Sequence, residues 1–236
     1  VSLKNKMVYI GLEFGVWKKK GGIVALDAKT GEKKWQFYEM ENYTHCSPMV
    51  SDYHNIVVCG SNDNTVYSFN ATNGKLLWKF VVGGEIKASF ACDDKNGVIY
   101  FGSFDHFVYA LDIHTGECLW KFETLEAIYS TPLVYNDKVY VSGLDKKLYC
   151  LDKKTGEKIW EFSATARIFA SPMVVKGEIC VGANDSRMYL LNSETGENTS
   201  LMQVTERITN RVAYDEENDT IFLPTFANEI YALKRK

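Results

Sequence analysis

No run of apolar residues in this sequence approaches the ~18 needed for a helix that crosses a bilayer. A signal-like apolar segment is also missing, although a chain beginning at Val1 leaves room for a removed leader. Neither sign of charge dominates: 27 Lys and Arg stand against 30 Asp and Glu. The sequence therefore lacks the basic footprint of a nucleic-acid binder, and no nucleic-acid partner is expected. Its six cysteines (Cys46, Cys59, Cys92, Cys118, Cys150, Cys180) lie singly, without CxxC or an adjacent pair. They read as buried free thiols and weakly favour a reducing, cytoplasmic compartment. Five Asn-x-Ser/Thr sequons, beginning at Asn42, Asn70, Asn184, Asn198 and Asn218, pull weakly the other way and are read as composition. Four histidines (His45, His54, His106, His114) show neither HxxxH nor HExxH spacing, so no metal is indicated. GxSxG, P-loop and GxGxxG motifs are absent. No stretch carries a convincing helical period.

What is present is a repeat. "ALDAKTGEKKW" (25–35) returns as "SFNATNGKLLW" (68–78), "ALDIHTGECLW" (110–120), "CLDKKTGEKIW" (150–160) and, degraded, "LLNSETGENTS" (190–200). The turn glycines Gly31, Gly74, Gly116, Gly156 and Gly196 are spaced by 43, 42, 40 and 40 residues. Each unit holds four short apolar runs bounded by Asp, Asn and Gly, the signature of strands. Four antiparallel strands every ~40 residues is the pattern of a β-propeller blade. In the motif, Asp27, Asn70, Asp112, Asp152 and Asn192 are placed to cap the turn, and the glycine to take its positive φ. The tryptophan offers an apolar face to the next blade and an N–H that needs an acceptor.

The pattern A-x-D-x-x-T-G-x-x-x-W, preceded by "SP" and by strands such as "VYVSG", resembles the PQQ-like β-propeller repeat. That repeat occurs in quinoprotein alcohol dehydrogenases, in a bacterial outer-membrane assembly lipoprotein and in domains appended to larger enzymes. A WD40 repeat fits less well, because the units end in "WQF", "WKF" and "WEF". The resemblance implies an all-β, six-bladed propeller of four-stranded antiparallel blades, at roughly 1–40, 41–83, 84–125, 126–165, 166–205 and 206–236. The first blade starts part-way along its first strand and the last lacks its fourth. The chain is accordingly either one domain closed at six blades or a piece of a larger ring. The resemblance is silent on function, since the family includes enzymes and scaffolds. Quinoprotein dehydrogenases hold calcium and the quinone with an acid–amide cluster, often beside a vicinal disulfide. Neither is present here, so neither PQQ nor calcium is expected.

Connections in a four-strand meander alternate between faces, which places the blade-to-blade loops and second-to-third loops together at the mouth of a central channel. One column entering the innermost strands reads Thr44, Ile86, Ile128, Ile168, Ile208 and is assigned to core. Period-two alternation turns the neighbouring columns toward the channel. The first is Tyr43, Glu85, Ala127, Arg167, Arg207; the second is His45, Lys87, Tyr129, Phe169, Thr209. The third, Ser47, Ser89, Thr131, Ser171, is small and hydroxylated until Arg211 breaks it. Positions where a repeat abandons its consensus have no shared packing reason to differ. The expected binding residues are therefore Tyr43, His45, Glu85, Lys87, Tyr129, Arg167, Phe169, Arg207 and Arg211, with Glu85 the one acid of the set. An insertion in the first blade, "LEFGVWKKKGG" (12–22), adds Trp17 and Lys19 on the same face.

Four aspartates, Asp63, Asp105, Asp145 and Asp185, recur in register and are assigned to turn capping. The reading that follows is a non-catalytic scaffold that binds a protein partner or a small anionic or aromatic ligand at the channel mouth. Two alternatives stand beside it: a hydrolase or lyase in the same mouth, with His45 as its weak catalytic candidate, and an accessory domain docked on the catalytic domain of a larger protein.

Overall fold

The structure, a computed structural model, describes residues 1–15 and 17–234. The described residues form 22 strands and no helix. They fall into two compact units, residues 1–123 and 124–236, each holding three antiparallel sheets.

In the first unit, sheet one is β1 (Met7–Phe14), β2 (Lys20–Asp27) and β3 (Lys33–Met40). Sheet two is β4 (Met49–Ser51), β5 (Ile56–Gly60), β6 (Thr65–Asn70) and β7 (Leu76–Val81). Sheet three is β8 (Ala91–Asp93), β9 (Val98–Gly102), β10 (Phe107–Asp112) and β11 (Cys118–Glu123). In the second unit, sheet four is β12 (Leu133–Tyr135), β13 (Lys138–Ser142), β14 (Lys147–Asp152) and β15 (Lys158–Ser163). Sheet five is β16 (Met173–Val175), β17 (Glu178–Gly182), β18 (Arg187–Asn192) and β19 (Asn198–Gln203), and sheet six is β20 (Ala213–Asp215), β21 (Thr220–Pro224) and β22 (Ile230–Lys234). Every sheet is a meander in chain order. This is the expected propeller-blade architecture, with sheet six one strand short. In sheet one the innermost position is reduced to the single bridge Ser2–Met7, and β1 takes the place that β5 holds in sheet two. The 12–22 insertion lengthens β1 and β2 to eight residues each, paired as far as Phe14 with Lys20.

The second and third strands of each complete sheet are the core. All five residues of β5 are buried, as are Ile99–Gly102, Val139–Ser142 and Ile179–Gly182 of the equivalent strands. The outer strands β7 and β11 alternate in exposure, as a half-covered strand should. The repeated turn closes as its chemistry requires. Asp27 Oδ1 accepts the N–H groups of Lys29 (3.0 Å) and Thr30 (2.9 Å), while its carbonyl accepts that of Gly31 (2.9 Å). The tryptophans then tie sheet to sheet. Trp35 Nε1 donates to the Ala71 carbonyl (2.9 Å), Trp78 to Ile113 (2.9 Å) and Trp160 to Ser193 (3.2 Å).

The recurring aspartates hold more than one turn. Asp63 accepts from its own turn at Thr65 N–H, from the Tyr67 hydroxyl (2.8 Å), and from the Glu41 N–H (2.9 Å) at the end of the preceding sheet. Asp145 and Asp185 repeat this through Tyr149 with Leu125 and Tyr189 with Thr165. Burial, and next the bond to Asp63, raises the Tyr67 hydroxyl pKa, so the phenol stays the donor. Sheet six has Ala227 at this position, and Tyr231 turns to Glu229 instead.

Candidate functional site

The column assigned to core is buried throughout: Thr44 is 5% exposed and Ile86, Ile128, Ile168 and Ile208 are fully covered. Two of these isoleucines lie so close to a strand glycine that a Cβ on Gly60 would come within 2.4 Å of Ile86, and one on Gly182 within 2.2 Å of Ile208. That packing fixes the alternation and leaves the flanking columns half-buried or exposed. The third column forms a hydroxyl ladder. Ser47 N–H donates to Ser89 Oγ (3.1 Å) and Thr131 N–H to Ser171 Oγ (2.9 Å). Arg211 cannot supply the hydroxyl that would extend it.

The expected rim residues fall in both units. In the first unit His45 Nδ1 lies 2.8 Å from Glu13 Oε1, and Tyr43 stands edge-on to His45. The Tyr43 hydroxyl donates to the Gly15 carbonyl (2.9 Å), and Lys19 Nζ sits 5.4 Å from the Tyr43 ring centre. Lys87 pairs with Glu85 at 2.6 Å and lies over Phe104 at 4.4 Å. The acid against His45 is thus Glu13 of the lengthened β1, not Glu85. Trp17, at the hairpin tip, is 97% exposed.

In the second unit Arg167 meets Glu126 at 3.5 Å. Glu13 in the first unit and Glu126 in the second are acids that the sequence columns did not include. Arg207 differs from the others. Its guanidinium lies 3.9 Å from the ring centre of Phe226, and among the described residues it has no acidic side chain within ion-pairing distance. Beside it a cavity of about 430 Å³ is lined by Tyr129, Phe169, Asn184, Thr209, Asn210 and Phe226. Tyr129 and Phe169 meet edge to face at 5.7 Å. Asn184 Oδ1 is buried without a hydrogen-bond partner.

A position that sequence reasoning missed lies beside these residues in each unit: Asn62 and Phe104 in the first, and Leu144, Asn184 and Phe226 in the second, from the second-to-third loops. Each donates its backbone N–H to the carbonyl of a first-column residue, Tyr43, Glu85, Ala127, Arg167 and Arg207 in turn. The signal was available, since these residues directly precede the recurring aspartate position and change in every repeat. Among the described residues no group of His, Cys, Asp and Glu is arranged to hold a metal ion, and no helix is long and apolar enough to cross a membrane.

With the fold and rim described, the chain can be set beside known proteins. BamB from Moraxella catarrhalis superposes with a TM-score of 0.78 at 15% identity, over 98% of this chain and 75% of BamB. The computationally designed Ika8 protein gives 0.80 at 16% identity, over 94% of this chain and 70% of the design. At such identities the likeness shows the fold alone, a β-propeller. No curated protein matches the chain. The family described as "Beta-alanine-activating enzyme, beta-propeller" matches residues 4–236, and the chain belongs to that family of propellers.

Proposed function

We propose that this propeller is a non-catalytic binding module, and that the rim cavity beside Arg207 takes a small aromatic anion. One observation carries the reading: a guanidinium stacked on Phe226, without an acidic partner, opening on a cavity walled by Tyr129 and Phe169. A carboxylate or phosphate matches the guanidinium fork in two parallel hydrogen bonds. A planar ring on the same ligand gains the aromatic walls. The cavity lies within the ~300–1,000 Å³ usual for small-ligand sites. Arg167, held by Glu126, contributes charge beside the site rather than contact. Titration with benzoate and 4-hydroxyphenylacetate, followed by aromatic and Arg side-chain NMR shifts, tests the reading. Arg207→Ala should abolish binding and Arg167→Ala should leave it nearly unchanged. Binding that survives Arg207→Ala removes the proposal.

A second reading is favoured by the family itself, whose description couples the propeller to an activating enzyme. In this reading the chain docks on a catalytic partner through the outer edge of β22, which pairs only with β21 and exposes Ile230. An open strand edge accepts another strand. Sedimentation of the chain with the propeller-free remainder of a family member should show a complex that Ile230→Lys weakens. Two independent species at micromolar concentrations would rule the docking out.

A further inference from the structure

In sheets two and four the segment entering the innermost strand drops one side chain onto the end of the second strand. Sheet four shows the plain form. Ser130 Oγ donates to the Ser142 carbonyl (2.8 Å) and accepts the Ser142 N–H (3.0 Å). Sheet two keeps both contacts with sulfur: Cys46 Sγ donates to the Gly60 carbonyl (3.2 Å) and accepts the Gly60 N–H (3.0 Å). Serine and cysteine thus meet one shared packing need, and Cys46 by itself calls for no function.

Its neighbour does. The residue before Gly60 in β5 is Cys59, where the equivalent strands β9, β13 and β17 carry Phe101, Val141 and Val181. Packing at that position asks for an apolar side chain and not for sulfur. The two sulfurs lie 3.7 Å apart, and both are covered: Cys46 is 4% exposed and Cys59 fully buried. Cys46 stands outside any strand, between the exposed residues His45 and Ser47. The thiols are also unequal. The bond from Cys59 lowers the Cys46 pKa against the opposing effect of burial, with the Gly60 N–H adding to it. The same bond, and then burial, raises Cys59. One thiol is set to ionise and the other to keep its proton, the division between an attacking and a resolving cysteine.

We propose that Cys46 and Cys59 form a redox-modification site, whose substrate is a small hydroperoxide and whose product is an internal disulfide. The Cys46 thiolate attacks the terminal peroxide oxygen, and the O–O bond breaks. The departing alkoxide takes up the proton that the Cys46 thiol released, which leaves a sulfenic acid on Cys46. The Cys59 sulfur then attacks the Cys46 sulfur, the S–O bond breaks, and the hydroxyl leaves as water with the Cys59 proton. The thiol pair loses two electrons, and the hydroperoxide is reduced to an alcohol and water. The sulfurs close from contact to a bond of about 2.05 Å, which ties the segment carrying Tyr43 and His45 to β5. Burial sets the selectivity, because a peroxide is small enough to reach Cys46 and a bulky thiol reagent is not.

The test exposes the whole reduced chain to hydrogen peroxide at neutral pH. Thiols titrated afterwards in urea should fall from six to four, and dithiothreitol should restore all six. Chymotryptic peptides from either side of Tyr53 should be recovered joined through Cys46 and Cys59. Cys59→Val, which copies Val141, should stop at the sulfenic acid, trapped on Cys46 by dimedone. Cys46→Ser, which copies Ser130, should lose both the link and the trapped adduct. If either variant does not fold, the peptide map of the unsubstituted chain decides alone. Six free thiols after peroxide, or a link between another pair in place of this one, would overturn the proposal.

Discussion

Trp35 lies flat against the turn glycine of the following sheet: a Cβ on Gly74 would come within 2.5 Å of Trp35 Cδ2. Gly74 also has a φ of +72°, so two separate requirements fall on one residue. The left-handed backbone alone disfavours a side chain, and the indole above it removes the space. Gly31, the same turn in sheet one, has φ +73° and nothing within 4 Å of an added Cβ.

The pair Gly31 and Gly74 therefore separates the two costs. Gly31→Ala should lose about 1–2 kcal/mol from backbone conformation alone. Gly74→Ala should lose roughly 2–4 kcal/mol, because the Trp35 ring must also shift. Urea unfolding with unchanged m-values measures both; equal losses would show that the tryptophan contact carries no stability.

Asp145 accepts from the Lys147 N–H (3.1 Å), the Tyr149 hydroxyl (2.5 Å) and the Leu125 N–H (3.0 Å). Asp145→Ala leaves three donors without their charged acceptor and should cost about 3 kcal/mol. Tyr149→Phe removes one donor and keeps the other two bonds, so its cost should be about 1 kcal/mol. A larger loss from Tyr149→Phe than from Asp145→Ala would reverse this assignment.

The turn caps set an acid limit. The Asp152 pKa is lowered chiefly by the N–H of Thr155, with burial opposing and Lys154 N–H adding to it; Asp27 is lowered by Thr30 and Lys29. A carboxylate whose folded pKa is depressed contributes stability above its unfolded value, about 3.9. That contribution is lost as pH falls through the lower folded value. Asn serves as the cap at Asn70 and Asn192 without titrating. Asp152→Asn should therefore flatten the acid limb of stability against pH, and the wild-type and variant curves should draw together below about pH 4. A constant difference from pH 7 to pH 2.5 would contradict it.

The thiols should be slow in the folded protein. Cys46 and Cys59 are buried with sulfurs 3.7 Å apart, and burial pushes the Cys150 thiol up to about 12. Burial also raises Cys92 and Cys118. Since the thiolate is the reactive form, a chromogenic disulfide reagent at pH 8 should react slowly until urea exposes all six. Rapid reaction of two or more thiols in the native state would contradict this burial.

The repeat was legible because it is a packing code. Turn, glycine and tryptophan meet at fixed spacing whatever the neighbouring residues are, so sheet order, turn geometry and the buried isoleucine column could be read from one dimension. The rim was legible only as a set of positions, and which of them meet depended on distance. Glu85 was the one acid in the columns, but it pairs with Lys87, while the lengthened β1 brings Glu13 to His45. Phe226 was overlooked, yet its ring carries Arg207.

What the sequence by itself determined is the all-β blade architecture and its rigid joints, since these depend on local turn chemistry and on period-two patterning. Tertiary structure alone decided which charges neutralise each other and which remain available. Those outcomes depend on separations of a few ångström between residues as far apart in the chain as Lys138 and Glu194, and side-chain reach across neighbouring sheets sets such separations.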